Sequence, residues 1–150
     1  MKRKASPDAC VVFESSCVAL NLRKSAHAVS RIYQKEMRDA PVKGPLFSLL
    51  ATISRRGSST ITALARDIGL DRTTLTRNLR HLEERGLIQN RLVTANKKEV
   101  TLLPEGEIAL RKALTSWRRA QEKVVGELGQ DRWDRMRNDL KAVMALSDPS

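Results

Sequence analysis

Apolar residues recur along this chain mostly with the helical period and only briefly with the strand period. Residues 1–14 lack either pattern and read as a mobile N-terminal arm. From Ser15 or Ser16 to Asp39, Val18, Leu22, Val29, Ile32 and Tyr33 return at helical spacing, which predicts a long helix. Pro41 and the Val42-Lys43-Gly44-Pro45 turn end it. A second helix, Pro45 to Arg55, carries Leu46, Phe47, Leu49, Leu50 and Ile53 on most sides, the signature of a buried helix. Gly57-Ser58-Ser59 reads as a turn.

The stretch from Thr60 to Leu92 is the most informative. Thr62 suits the N-cap of a short helix, Ala63 to Ile68, with Leu64, Ala65 and Ile68 inward, and Gly69 suits the left-handed residue that ends it. Asp71 then caps a third helix, Arg72 to Arg85, stopped by Gly86. Two short capped helices joined by a glycine-containing turn make a helix-turn-helix. Leu87 to Leu92 and Glu99 to Leu103 read as two strands around a polar turn, a hairpin or wing. Pro104 opens a long helix to Leu128, and a last amphipathic helix, Asp131 to Leu146, lines up Trp133, Met136, Leu140, Val143 and Met144. The expected fold is mainly α with a small β-hairpin wing. A winged helix-turn-helix (45–103) is expected between helical dimerisation segments (15–44 and 104–150).

Charge sharpens this. The 150 residues hold 28 Lys+Arg against 17 Asp+Glu, a formal +11, which suggests a polyanionic partner. Residues 54–98 alone carry 10 basic and 4 acidic residues, whereas 99–150 balance at 9 and 9, so a polyanion should meet the middle first. With two Trp, one Tyr and two Phe, the chain is poorly equipped to stack single-stranded bases. Only two cysteines and two histidines are present, at spacings unsuited to a zinc finger, so no metal or cofactor is expected. An enzymatic constellation is not visible either. No apolar run reaches membrane-spanning length and no secretory signal opens the chain, so the expected location is cytoplasmic.

Setting Leu75, Leu79 and Leu82 toward the core turns Thr73, Arg77, Arg80 and Glu84 outward, flanked by Thr74 and His81. Arginine can bond guanine through two parallel hydrogen bonds, and threonine can bond a phosphate or touch a thymine methyl. Arg72 lies to the flank, suited to phosphate. On the wing, Lys97 and Lys98 suit phosphate or a minor groove, supported by Arg91. The expected partner is therefore double-stranded DNA, read by sequence or coated through charge alone.

The run Ile61-Thr62-Ala63-Leu64-Ala65 followed by Gly69-Leu70-Asp71-Arg72-Thr73-Thr74-Leu75-Thr76-Arg77-Asn78-Leu79-Arg80-His81-Leu82-Glu83-Glu84-Arg85-Gly86-Leu87-Ile88 resembles the MarR family of bacterial transcriptional regulators. The resemblance spans about Cys17 to Leu146. It implies a homodimer with interlocked terminal helices, a near-palindromic operator, and repression relieved by a small ligand or an oxidant. The family's wing usually carries Asp, Arg and Arg near its tip; here Asn96-Lys97-Lys98 stand there, keeping charge but losing the planar fork. Independently, Trp117, Leu128, Trp133, Met136, Leu140 and Met144 lie in a region without net charge and call for a partner surface.

Two effector readings stay open. Ser16-Cys17-Val18-Ala19-Leu20 resembles the segment that holds the reactive cysteine in the family's organic-hydroperoxide sensors, although Asn21 stands in that neighbourhood and Tyr33 is the only tyrosine. Cys17 is otherwise a packed thiol, and Cys10 a thiol of the arm. The alternative is a small-molecule pocket between the dimer helices and the winged domain, lined by His27, Arg31, Tyr33 and Phe47, with an anionic aromatic ligand suited to Arg31 and His27.

Overall fold

The computed structural model describes residues 7–94 and 97–146, and the side chains of residues 11–94 and 98–146. Residues 1–6 of the expected arm, the wing tip at Asn96 and the tail at 147–150 lie outside the described residues, as do the Cys10 and Lys97 side chains. The elements are α1 (Pro7–Ser16), α2 (Val18–Glu36), α3 (Pro45–Arg56), β1 (Ser58–Thr60), α4 (Ile61–Ile68), α5 (Arg72–Glu84), β2 (Ile88–Thr94), β3 (Lys97–Leu102), α6 (Pro104–Leu128) and α7 (Gln130–Ala145). The expected architecture holds, mainly helical with a small winged sheet.

Several boundaries differ from expectation. Residues 7–14 are helical rather than an arm, with Pro7 at the first position, where a missing N–H costs nothing. The single helix expected from Ser15 or Ser16 is two. The Ser15 hydroxyl bonds back to the carbonyls of Val11 and Val12, an alternative to the helical ladder, and Cys17 is extended at φ −68°, ψ 109°. The second helix then ends at Glu36, not Asp39. Met37 and Val42, 2% and 1% exposed, are drawn into the core, and that burial bends the chain through a turn before Pro45.

Around Thr60 two further expectations are corrected. Ser58–Thr60 is a strand, not a turn: it pairs antiparallel with β3, with Ser59 opposite Val100. Three residues are too few for a period to be read. Thr60, not Thr62, caps α4, its hydroxyl accepting from the Ala63 amide at 3.2 Å. The cap falls at Thr60 because the chain leaves an extended strand there, and that is the backbone an N-cap needs.

The sheet order is β1-β3-β2, all antiparallel, with a register irregularity between Leu92 and Thr94. Its inner face, Ile88 and Val100, closes a core built from Leu49, Leu50 and Ile53 of α3, Leu64 of α4 and Leu75, Leu79 and Leu82 of α5. As the pattern predicts, α3 is buried on most sides. Outside this core, α2 packs on α6 through a Tyr33–Gln121 hydrogen bond and a Lys123–Glu36 ion pair of 3.3 Å. Trp117, expected to need a partner chain, stacks instead on Phe47 of its own chain, with ring centroids 6.2 Å apart at 25°.

One glycine fixes how α6 meets the winged unit. A Cβ on Gly106 would stand 2.1 Å from the Leu87 carbonyl oxygen, a backbone atom that already accepts from the Leu103 amide at 3.0 Å. Neither partner has room to move. Gly106→Ala should therefore destabilise the protein by about 3 kcal/mol, the upper part of the overpacking range. Urea unfolding measures this, and a loss below about 0.5 kcal/mol, the ordinary surface value, would mean that α6 does not sit as described.

Candidate functional site

The site begins with how α5 is started. Gly69 takes φ +67°, a left-handed residue that side chains resist, and its amide bonds the Ala65 carbonyl. The chain then turns and Asp71 caps α5, its carboxylate accepting from the Thr74 amide at 2.9 Å. Hydrogen bonds from the Thr74 side chain, then the Thr74 and Thr73 amides, hold the Asp71 carboxyl below its ordinary range. A negative group is also favourable against the positive end of the helix dipole.

Leu75, Leu79 and Leu82 are buried at 0%, 3% and 0% exposure, and they fix the rotation of α5. Arg72, Thr73, Arg77 and Arg80 are accordingly exposed and Thr74 is half-buried, the arrangement expected from the period. His81 is exposed. Among the described residues Arg72 and Arg77 have no acidic partner. Arg80 does: its Nε lies 2.8 Å from Glu84, one turn along. Both groups of that pair are exposed, so it is weak and yields readily to a phosphate or base.

The wing residues separate. Arg91 stands opposite Glu99 across the sheet, on the face away from Ile88 and Val100. The Glu99 carboxylate also accepts from Ser58 at 2.9 Å. Lys98 is exposed opposite Leu92, which is itself 64% exposed, beside Val93 at 53%. Lys97 opens β3, with its side chain outside the described ones.

Two features escape the sequence reading. Thr62, released from the capping role, is exposed on α4 one turn before the exposed Arg66. The helical period contains that signal once the cap is placed at Thr60. Asp67 gathers two arginines, Arg56 at 2.6 Å and Arg55 at 3.3 Å, tying the end of α3 to α4. Their sequence distance hides this pairing. The central charges thus divide into a clamp, Arg55 and Arg56 on Asp67, and an outward set that includes Arg66, Arg72 and Arg77.

A separate cleft of about 550 Å³ lies between α2 and the winged unit. Tyr33 and Phe47 line it, as expected, with Val29, Trp117, Ile68 and Leu70. His27 and Arg31 do not. Both are exposed on α2, whose inward stripe is Val29, Ile32 and Tyr33. The helix period sends positions 27 and 31 to another face. Burial pushes the Tyr33 phenol pKa up. Cys17 is half-buried at the N-cap of α2, and the Asn21 amide side chain bonds its carbonyl at 2.9 Å.

A family model described as the MarR family matches residues 44–100. The M. tuberculosis transcriptional regulator MosR, solved with DNA, is 33% identical, with a TM-score of 0.79 over 88% of this chain and 96% of that one. The chain belongs to the MarR family. A second MosR structure is 31% identical, with a TM-score of 0.79 over 89% of this chain and 97% of that one. E. coli MarR, solved as a mutant with operator DNA, shares the fold at 16% identity, with a TM-score of 0.77 over 88% of this chain and 96% of that one. Among curated proteins none matches. The matched residues 44–100 run from the N-cap of α3 into β3, the unit whose leucines orient α5. In this MarR-family protein no described helix is long and apolar enough to cross a membrane.

The cap gives a pH-dependent outcome. A carboxyl whose folded pKa is lowered stabilises the fold above its ordinary value of 3.8, and that contribution is lost as pH falls through the folded value. Asp71→Asn keeps a capping oxygen without the titration. Thermal midpoints of the two proteins should therefore converge as pH drops below 3.8, and a gap that stays constant there would remove the charge from this account.

Proposed function

We infer that this MarR-family chain is a sequence-specific, double-stranded DNA-binding transcriptional repressor, acting as a homodimer and released by a small molecule. The observation that carries the inference is the rotation of α5. Three leucines bury one face, and Arg72, Thr73 and Arg77 stand exposed on the outer side at the N-terminal half. That is where recognition helices meet base edges. MosR, 33% identical over nearly its whole length, was solved with DNA.

Roles follow from chemistry. Arg77 offers a fork to guanine, with Arg80 beside it once Glu84 is displaced. Thr73 and Thr74 offer hydroxyls, and Arg72 reaches phosphate. Thr62 and Arg66 on α4 suit the backbone that the first helix of such a motif crosses. Lys97, Lys98 and Arg91 bring charge to the wing, where it suits phosphate or a minor groove.

The homodimer is supported by apolar side chains with nothing to cover them in one copy. Val12 and Phe13 on α1, Val18 on α2 and Leu146 at the C-cap of α7 are all more than half exposed, and all belong to the terminal helices. Such a patch marks an interface. A two-fold arrangement would set the two α5 helices in successive major grooves, roughly 34 Å apart. The cleft beside α4 and α5 supports release by a ligand, because its occupant touches the turn that positions α5. The thiol alternative rests on Cys17, half-buried at the N-cap of α2. Release by an organic hydroperoxide that persists in Cys17→Ser would dismiss it.

Arg77→Ala should cost about 1–3 kcal/mol at one operator position and relax preference there. Lys97→Ala should weaken all duplexes alike and reduce the salt slope by about 1. Titration of an operator selected from genomic fragments, against random duplex, measures both. Equal affinity for the two would favour a protein that coats DNA by charge alone. For the assembly, sedimentation should give a dimer, converted to monomer by Val12→Asp with Phe13→Asp. A monomeric wild type would leave the exposed terminal helices unexplained.

A further inference from the structure

A second basic surface lies outside the winged unit. Arg23, His27, Arg31 and Lys35 follow one another at four-residue steps along α2, and all four are exposed. Such a series forms a single ridge on a helix. It runs roughly 18 Å at 1.5 Å per residue. The ridge occupies the side of α2 turned away from Val18, Leu22 and Val29, so the apolar positions that call for a partner copy are not on it.

Its charge is uncompensated. Glu36, the one acidic residue of α2, pairs with Lys123 of α6. The neighbouring cations are engaged, Lys24 with Glu14 at 4.0 Å and Arg38 with Asp39 at 3.8 Å. Among the described residues Arg23, His27, Arg31 and Lys35 form no ion pair. The ridge is also separate from the surface assigned to the operator. α5 packs on α3, α3 on α6 and α6 on α2, so two helices stand between them in the packing order.

A strip of one sign attracts a polyanion. Protein partners are held through an apolar and aromatic centre ringed by polar groups. Beside the ridge stand Lys24, Ser30 and Gln34, and between Arg23 and Lys35 this face carries no aromatic or branched apolar side chain. Duplex phosphates ask only for charge within reach, without regard to sequence. Bringing the operator's own flanks to α2 would require bending them around the body, a cost that a second segment does not bear.

We propose that the α2 ridge is a second duplex-DNA site, which holds the phosphates of another DNA segment while α5 occupies the operator. This rests on the reading of α5 as the operator face. The protein then joins two stretches of duplex, one chosen by sequence and one by charge alone.

The test is a capture assay with the full-length protein. Operator duplex selected from genomic fragments is fixed to beads, saturated with protein and washed, and a fluorescent random duplex is then offered. The wild type should retain it. Raising salt from about 50 to 200 mM should weaken retention about fortyfold, the fall expected for three Lys/Arg–phosphate contacts. Arg23→Gln combined with Arg31→Gln and Lys35→Gln should bind the operator as the wild type does and lose at least tenfold in capture. Capture that survives the triple substitution would overturn the assignment to α2. An operator-bound wild type that captures nothing would overturn the second site and leave the α5 reading standing. A triple variant whose operator footprint shortens, with no second duplex captured by the wild type, would assign the ridge to the operator's flanks instead. Displacement of the captured duplex by poly-glutamate at a lower charge concentration than by unlabelled duplex would assign it to an acidic polypeptide. If the wild type shows no preference for operator over random duplex, the α5 reading fails, and a tenfold loss of random-duplex binding in the triple variant still supports the ridge.

Discussion

The burial of Leu75, Leu79 and Leu82 is the constraint from which the rest follows. These side chains lie against Leu49, Leu50 and Ile53 of α3 and Leu64 of α4, and together they leave almost no surface to water. At roughly 2 kcal/mol for each fully buried leucine, the three outweigh any single polar contact on the opposite face. The rotation of α5 is therefore set by its hidden side. Arg72, Thr73, Arg77 and Arg80 are outward because the leucines are inward. The interface is thus specified by residues that never touch a partner.

The other features protect that setting. Gly69 and Asp71 start α5 at one place. The Asp67 clamp on Arg55 and Arg56 joins α3 to α4 at the base of the same unit. Gly106 lets α6 approach the Leu87 backbone, so that the long helix is rigidly connected to the wing. The cleft occurs where this rigid unit meets α2. There the polar contacts between α2 and α6 are the Tyr33–Gln121 bond and the solvent-facing Lys123–Glu36 pair. A seam of that kind can change its geometry without dismantling the core.

Much of this was legible in the sequence, for identifiable reasons. The leucine period of α5 and the Asp71 cap are local signals spanning one element, and both elements and faces follow from them. The buried helix α3 and the start of α6 at Pro104 are equally local. What failed depended on contacts between distant residues. Ser58–Thr60 becomes a strand only because β3 lies beside it, and once it does, the cap moves from Thr62 to Thr60. The break at Cys17 reflects serine hydroxyls competing with the ladder. Trp117 found its partner in Phe47, seventy positions away. His27 and Arg31 lie near Tyr33 in sequence, but the period turns them to another face of α2, outside the lining of the cleft.

In the proposed assembly, two copies of this chain present their α5 helices to one face of a duplex at a spacing set by the terminal helices. Hydroxyl-radical footprinting of the protein on a selected operator tests it directly. Two symmetric blocks of protection are expected, with centres about 10 base pairs, or a multiple, apart on one face of the helix. A single block, or uniform protection along the whole fragment, would contradict it.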